Sequence, residues 1–335
     1  MVLDGNDPAA VSRAAATLAA GELLGLPTET VYGLAADADD PAAVAKIFAA
    51  KGRPADHPLI VHLAPPARPG ELPEALAHYA ASVPDFAERL LRAFWPGPLT
   101  VILPRRPGYA AAAAGGQASV GLRCPSHPVA RAVLSAALSL GVRGVAAPSA
   151  NQFGRVSPTT AAHVAGEFDF DLLVLDGGAC DVGIESTIVD CSRGQPVLLR
   201  PGGIGAAQVE AACGRPLLSP DALADTPRAS GTLESHYAPR AKVRLMDAKA
   251  LQAGLDLLGA DAAHLAVYAR SALRCRSQAV VQKRMPADAA AAAQQLFAAL
   301  RTFDDRGVRL IWIETPPPET EWDGVRDRLR RAAAD

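Results

Sequence analysis

A lysine and an arginine two residues apart are the first side chains in this chain that suit a chemical task. Lys51 and Arg53 follow a predicted helix that Asp40 can cap, Pro41 can start and Gly52 can end. That helix would present both cations at its C-terminal exit. Lysine offers a compact charge and arginine a bidentate fork, so the pair suits the binding of a polyphosphate. A solvated basic helix end, favoured by the helix dipole, would show the same pattern.

Polar side chains also recur where predicted apolar strands end, which is where ligands commonly bind an open sheet. The set comprises Thr30, Arg53, His62, Ser119, Arg123, Ser149, Asn151, Ser157, Ser186 and Arg200. Each alone has a structural interpretation, as a cap, a turn residue or a surface arginine. Together they can hold anions, and they include neither an activated nucleophile nor a pair of carboxylates. This composition favours phosphoryl or nucleotidyl chemistry that proceeds by positioning.

Familiar catalytic motifs are missing from the sequence. It contains no P-loop, no dinucleotide-binding glycine motif after a strand, no zinc-protease motif and no nucleophile elbow. The chemistry must therefore come from the strand-end residues.

Short strands and helices must position these residues. Strands are predicted over 22–26, 59–63, 99–103, 119–123, 144–147, 172–175, 186–190 and 197–199. Helices are predicted over 8–20, 42–50, 71–79, 83–94, 128–140, 159–166 and 205–213. Because strands and helices do not alternate regularly, the order favours a mixed twisted sheet with flanking helices over a simple parallel one.

The chain changes character after residue 213. Residues 214–240 are rich in proline and serine and are predicted to form a linker, in which His236 and Tyr237 precede Pro239. These two rings either close over a site as part of a lid or simply anchor the linker. Residues 241–335 alternate apolar strands with helices, which predicts a smaller Rossmann-like parallel α/β domain of regulatory or architectural role.

Composition places the chain among globular proteins. It has 335 residues and a formal net charge of -2, so no global basic field attracts nucleic acid. The five cysteines are odd in number and form no metal or redox motif, which fits a reducing cytosol. The N-terminus does not resemble a signal peptide, and no apolar run reaches membrane-spanning length. We therefore expect a cytoplasmic protein that does not bind membranes.

Several motifs together resemble a known family. Lys51-x-Arg53 and Ser149-x-Asn151, with PTETVYGL at 27–34, GIESTIVD at 183–190 and RPG at 200–202, are similar to motifs of the YrdC-type threonylcarbamoyl-AMP synthases. The likeness runs from about residue 21 to residue 205, and the later linker and tail resemble the long, two-domain form. One departure lies at 230–235, which reads SGTLES where that form usually has a Pro-Gly-Met-Lys-like run.

The resemblance implies an architecture and a reaction. A YrdC-like catalytic domain would span 1–213, a linker or lid 214–240, and the small C-terminal domain 241–335. The enzyme would be a nucleotidyltransferase that makes threonylcarbamoyl-AMP and pyrophosphate from L-threonine, bicarbonate and ATP. Its product would serve the threonylcarbamoyl modification of the adenosine next to the anticodon in tRNAs that read ANN codons. Mg²⁺ would accompany ATP without a dedicated metal site on the protein.

The resemblance also implies partners and residue roles. Downstream tRNA threonylcarbamoyl-transfer proteins would be partners, and direct tRNA binding would be weak or absent. Lys51 and Arg53 would be catalytic. Threonine would be held by Thr30, His62, Arg123, Ala147 and Ser186. ATP would be held by Arg53, His57, Ser119, Ser149, Asn151, Ser157, Arg200 and Tyr237, the last of these closing over the nucleotide from the linker.

Two other functions remain open on the sequence alone. One is a non-catalytic RNA-binding module of the same fold, against which the net charge of -2 counts. The other is a carbamoyl-transfer domain acting on another substrate, which usually carries zinc-finger or acylphosphatase-like extensions that the sequence does not show. Threonine-dependent exchange between ATP and pyrophosphate would separate the synthase from the RNA-binding module.

Overall fold

The computed structural model describes residues 1–68, 70–222, 224–232 and 236–334. The chain divides into two compact units. Unit 1 comprises Met1–Phe153 and Ser157–Thr232, and unit 2 comprises Gly154–Val156 and Leu233–Asp335. No helix among the described residues is both long and apolar enough to cross a membrane.

Unit 1 is built on one mixed sheet. Its strands are β1 (Val2–Asp4), β2 (Leu24–Leu26), β3 (Gly33–Asp37), β4 (Ile60–Leu63), β5 (Leu99–Pro104), β6 (Ser119–Arg123), β7 (Gly144–Ala146), β8 (Leu173–Asp176), β9 (Thr187–Asp190) and β10 (Val197–Arg200). They lie in the order β1-β8-β2-β3-β7-β4-β6-β5-β9-β10. The pairs β1/β8, β2/β8, β4/β6 and β5/β9 are parallel, and the other neighbours are antiparallel. The expected mixed twisted sheet is confirmed.

Helices cover both faces of this sheet. They are α1 (Pro8–Ala19), α2 (Pro41–Lys51), α3 (Leu76–Tyr79), α4 (Asp85–Phe94), α5 (Pro128–Ser139), α6 (Ala161–Ala165) and α7 (Ala206–Cys213). Successive residues of a strand point to opposite faces, and along β3 Leu34 and Ala36 join one apolar core while Ala35 joins the other. The core around Ala35 packs against α1 and α5, and the other packs against α2, α4 and α7.

Helix α2 has the boundaries that its sequence predicts. The Asp40 carboxylate accepts a hydrogen bond from the Ala42 amide at 2.8 Å, and Pro41 occupies the first turn. Gly52 ends the helix in the left-handed region at φ 61°. The backbone of this helix therefore fixes where Lys51 and Arg53 leave it.

Unit 2 has the parallel α/β architecture that was expected. Its strands β11 (Lys242–Met246), β12 (Leu265–Ala269), β13 (Val281–Arg284) and β14 (Leu310–Glu314) pair in parallel in the order β11-β14-β12-β13. Its helices are α8 (Ala248–Leu258), α9 (Ala289–Asp305) and α10 (Asp323–Ala332).

The segment predicted as a linker is divided between the two units. Residues 214–232 belong to unit 1, where Leu218 pairs with Val197 beside the end of the sheet. His236 and Tyr237 belong to unit 2. Residues 233–235 of this segment lie outside the described residues.

Candidate active site

Adjacent strands bring several of the residues predicted to bind substrates to one edge of the sheet. His62 on β4 and Arg123 at the end of β6 are register partners in a parallel pair. Thr100 lies near the start of β5, which runs antiparallel to β6, and Ser186 directly precedes β9, which is parallel to β5. Arg200 ends β10, which is antiparallel to β9 and pairs with Ile188. Because of these directions, all five side chains lie at the same edge.

Arg123 is the centre of a buried polar cluster. Its guanidinium is 4% exposed; Nη1 donates to Thr30 Oγ1 at 2.7 Å, and Nη2 lies 2.7 Å from Glu29 Oε1. Glu29 and Thr30 come from the turn between β2 and β3. This turn is held by Thr28 Oγ1, which donates to Val31 O at 2.6 Å. The cluster thus combines a cation, an anion and hydroxyls away from water.

Burial sets the ionisation of this cluster. Burial and the neighbouring Arg123 charge lower the pKa of His62 to about 3, so its imidazole is neutral at physiological pH. Burial alone raises the pKa of Glu29, but the charge and hydrogen bond of Arg123, together with backbone hydrogen bonds from Glu29 and Ser126, outweigh burial and hold this pKa below its ordinary value. Glu29 is therefore an anion, and Arg123 is the cation that it faces.

Ser186 and Arg200 form a second buried group. Ser186 Oγ lies 2.8 Å from Thr100 Oγ1. Arg200, which is 2% exposed, donates from Nε to Ser186 O at 3.0 Å and from Nη2 to Ser186 Oγ at 3.1 Å. Its Nη1 donates to Ser230 O at 2.8 Å, so the linker segment of unit 1 reaches the site.

Arg53 approaches the same linker residue from the other side. Its Nη2 donates to Pro58 O at 2.9 Å and to Ser230 Oγ at 3.5 Å, and its guanidinium lies 5.8 Å from the centre of the Phe153 ring. His57 packs edge-on against the same ring at 5.5 Å. Burial and the Arg53 charge lower the pKa of His57. Two buried arginines therefore converge on Ser230.

A shallow cleft lies beside these arginines in unit 1. It is lined by Ile60, Thr100, Ile102, Ser119, Gly121, Ile188 and linker residues 228–230, among others. Its floor is mostly apolar, with hydroxyls at Thr100 and Ser119. Such a lining suits a flat heterocyclic ring with a polar edge.

Lys51 does not lie on a solvated helix end. The side chain is only 2% exposed, and its Nζ donates to Ser149 O at 2.6 Å and to Asn151 O. The loop 149–153 also binds the lysine backbone, because the Phe153 amide donates to Lys51 O at 2.9 Å. Burial, followed by the Arg53 charge, lowers the pKa of Lys51 well below its ordinary value. The lysine thus joins the two motifs Lys51-x-Arg53 and Ser149-x-Asn151.

The remaining predicted residues lie around this arrangement. Ser157 is fully buried and its hydroxyl donates to Glu185 Oε1. Ala147 follows β7, and a Cβ added to Gly33 would lie 3.0 Å from the Ala147 methyl group, so a side chain at position 33 would crowd this methyl group. Among the described residues, no group of three or more His, Cys, Asp or Glu side chains is arranged to hold a metal ion.

Tyr237 packs against residues of unit 2. Its ring is 1% exposed, stacks on Phe297 at 5.4 Å between centres, and lies 5.3 Å from the Arg328 guanidinium. The residue has a left-handed backbone, with φ 62°. Its predicted closure over a nucleotide stays a prediction, and the anchoring interpretation describes the contacts seen here.

Three residues of the site were not predicted from the sequence. Glu29 lies inside the PTET run, where its neighbour Thr30 was predicted but the carboxylate was not. Thr100 lies at the start of the strand predicted over 99–103, as Ser119 and Ser186 lie at the starts of theirs. Ser230 gave no signal, because its contacts with Arg53 and Arg200 depend on how the linker folds back.

Known proteins resemble most of this chain in sequence and in fold. A family model described as "Telomere recombination" (Sua5_yciO_yrdC) matches residues 16–202, and one described as "Threonylcarbamoyl-AMP synthase, C-terminal domain" matches residues 204–334. The threonylcarbamoyl-AMP synthase of Bacillus subtilis is 37% identical over 345 residues, covering 99% of this chain and 94% of that protein. The one of Pyrococcus abyssi is 42% identical over 238 residues, covering 70% and 67%. The structure of P. abyssi Sua5 complexed with L-threonine matches with a TM-score of 0.85 at 34% identity, covering 98% of this chain and 95% of that one.

Proposed function

The chain belongs to the Sua5/YrdC family of threonylcarbamoyl-AMP synthases, and we propose that it makes L-threonylcarbamoyl-AMP and pyrophosphate from L-threonine, bicarbonate and ATP. The observation that supports this most is the convergence of Arg53 and Arg200, both buried, beside an apolar cleft that ends in hydroxyls. Cations next to a cleft suited to a flat ring match the phosphates and base of a nucleotide.

The proposed chemistry needs no protein nucleophile. The threonine nitrogen attacks the carbon of carbon dioxide derived from bicarbonate and loses a proton, which gives an anionic carbamate. A carbamate oxygen then attacks the α-phosphorus of ATP. The bond from this phosphorus to its bridging oxygen breaks, and pyrophosphate leaves with the electron pair. The protein has to align the two substrates and offset negative charge, which is what a set of buried cations and hydroxyls can do.

The two buried groups would divide the substrates between them. Threonine would lie against the cluster around Arg123, with Thr30, His62, Ala147 and Ser186 about it. ATP would occupy the cleft, with its phosphates toward the arginines; its other contacts would come from His57, Ser119, Ser149, Asn151 and Ser157. Ser186 lies between the groups, because it bonds to Thr100 of the cleft and to Arg200. P. abyssi Sua5 has been solved with L-threonine, which supports this amino acid as the substrate.

Lys51 would act on the phosphates through the loop that it holds. Its two carbonyl partners belong to Ser149 and Asn151, so the ammonium fixes the loop that would contact ATP. Mg²⁺ would accompany ATP, with phosphate oxygens and water as ligands, since the cleft is lined by apolar residues, hydroxyls, the Gln117 amide and Arg228 rather than by carboxylates.

The linker would have to respond to ATP. Ser230 accepts one hydrogen bond from Arg200 and one from Arg53. Phosphate oxygens of ATP would accept hydrogen bonds from the same N–H groups. We therefore propose that ATP displaces Ser230 and that the linker, with Tyr237, then closes over the nucleotide and excludes water.

The product would pass to proteins that transfer the threonylcarbamoyl group to the adenosine next to the anticodon of ANN-reading tRNAs. A cytoplasmic setting is part of this proposal, and the five free cysteines are compatible with it.

The test is product formation by the purified full chain. With threonine, bicarbonate, Mg²⁺ and ATP, we expect pyrophosphate release together with a threonylcarbamoyl-AMP mass in the same reaction. Omitting threonine should abolish most of the release. Equal release without threonine, or release without that mass, would contradict the proposed function.

A further inference from the structure

Glu29 and Arg123 form a buried ion pair inside the proposed threonine site. Both residues are 4% exposed, and Glu29 Oε1 lies 2.7 Å from Arg123 Nη2. Buried charges are costly unless they are paired and hydrogen-bonded, so a pair in this position needs an explanation.

The pair is incompletely satisfied by the protein. Within the described residues, neither carboxylate oxygen of Glu29 makes a hydrogen bond of good geometry, and neither does Arg123 Nη2, although the backbone amides of Glu29 and Ser126 also lie close to this carboxylate. Arg123 also donates from Nη1 to Thr30 Oγ1 at 2.7 Å and, over a longer distance of 3.4 Å, from Nε to Gly97 O. A guanidinium carries five N–H donors and a carboxylate about four acceptor sites, so both groups keep capacity for a ligand.

The charge of this site matches one class of ligand. The Glu29 anion and the Arg123 cation sum to zero, and His62 beside them is neutral. An α-amino acid zwitterion also has zero net charge and carries its two charges a few bonds apart. Bound to this pair, it would present an ammonium to the carboxylate and a carboxylate to the guanidinium. A ligand with only one of these charges would leave one protein charge without its partner.

We propose that Glu29 determines specificity for an α-amino acid by accepting the substrate's ammonium while Arg123 binds its carboxylate. This inference rests on the proposed function, which puts threonine at Arg123. It predicts that an acid lacking the amine is rejected by the site, although Arg123 remains available to it.

Binding measurements on the full chain test the proposal without any substitution. Titration calorimetry of the wild-type protein would compare L-threonine with (R)-3-hydroxybutyrate, which lacks the amine, and with threoninol, which lacks the carboxylate. Weak ligands would be measured by displacement of threonine. We expect each analogue to bind at least about thirtyfold more weakly, since one buried charge loses its partner in each case.

Glu29→Gln then assigns the amine contact. This variant should bind threonine at least about thirtyfold more weakly than the wild type. It should bind (R)-3-hydroxybutyrate more tightly than the wild type does, because no buried carboxylate is then left without a partner. Glu29→Asp should recover part of the threonine affinity, because it restores the charge. The matched control is Glu314→Gln in unit 2, which removes a carboxylate that is likewise buried, at 6% exposure, and lies 2.9 Å from Arg270 Nη2. It should leave threonine affinity unchanged.

The outcomes separate this inference from the proposed function. Wild-type protein that binds (R)-3-hydroxybutyrate as tightly as threonine overturns the inference, and so does a Glu29→Gln variant that loses affinity equally for both ligands. In either case threonine still binds the wild type, and the proposed function stands. Wild-type protein that does not bind threonine overturns both.

Discussion

Replacing Lys51 distinguishes a charge that acts on phosphates directly from a charge that holds a loop. The ammonium is buried and donates to the main-chain carbonyls of Ser149 and Asn151. We expect Lys51→Met to lower both the free energy of unfolding and the turnover, because the loop that would contact ATP loses its donor.

The magnitude follows from the contacts. A hydrogen bond to a charged group contributes about 1.5–3 kcal/mol, so two lost bonds amount to about 3–6 kcal/mol. Removing a buried ammonium also removes its desolvation penalty, several kcal/mol, which offsets part of this loss. We expect a net loss of roughly 2 kcal/mol in the free energy of unfolding. Turnover should fall at least about a hundredfold, near the ~3 kcal/mol that a positioned donor contributes to catalysis.

Urea denaturation and steady-state pyrophosphate release would measure the two effects. Lys51→Arg keeps the charge, but its broad fork does not fit the place of a compact ammonium between two carbonyls, so it should resemble Lys51→Met. Lys46→Met is the matched control on the same helix. Lys46 is half-exposed, pairs with exposed Glu22 and donates to Gly21 O at 2.8 Å, so its loss should cost less unfolding free energy than Lys51→Met and should leave turnover unchanged. Wild-type stability and turnover in Lys51→Arg would refute the positioning role.

Three further predictions concern the two substrates and the acid response. Serine should be a poor but detectable substrate and 2-aminobutyrate a worse one, since a site that hydrogen-bonds a hydroxyl rejects its absence strongly; relative kcat/KM values showing the reverse order would contradict this. Arg228→Ala should tighten ATP binding about two- to fivefold in calorimetry. The substitution removes the exposed Arg228–Asp56 ion pair, which anchors the linker segment that competes with ATP for the arginines. Weaker ATP binding by this variant would contradict the proposed displacement of Ser230. His62 has a folded-state pKa of about 3, below its unfolded value, so the unfolded state binds more protons as the pH falls below about 6.5. Between pH 7 and pH 5 this proton uptake should lower the unfolding free energy of the wild type by about 2 kcal/mol, and His62→Gln should not show this loss. Equal acid sensitivity of the two proteins in urea titrations would count against the buried, neutral imidazole.

The sequence predicts best what is encoded locally. The cap, the first-turn proline and the terminal glycine of α2 lie within thirteen residues of one another, and the structure has all three as expected. Strands β5 and β9 were likewise predicted to within a residue, because burial on both faces leaves a mostly apolar run, and β6 was predicted from its alternating pattern.

What depends on distant contacts could not be predicted. Lys51 has the sequence context of a solvated cation and is buried only because the loop 149–153 packs on it. Strand β13 escaped prediction because it is a polar edge strand, in which Gln282 and Arg284 are exposed. Glu29 shows the same limit, since its place in the site depends on the ion pair with Arg123, which is distant in sequence and lies on strand β6.

The pairing of the N-terminal strand has a consequence for how the chain is made. Among the described residues, strand β1 pairs with β8 alone, with Val2 opposite Val174, so its partner leaves the ribosome long after it does. At roughly 5–20 residues per second this wait is about 10 to 35 seconds. Ser186 and Arg200, with strands β9 and β10, are synthesised later still. A nascent chain therefore cannot draw stability from bound substrate until unit 1 is nearly complete, and before then its unpaired strand edges are open to chaperones or to other chains.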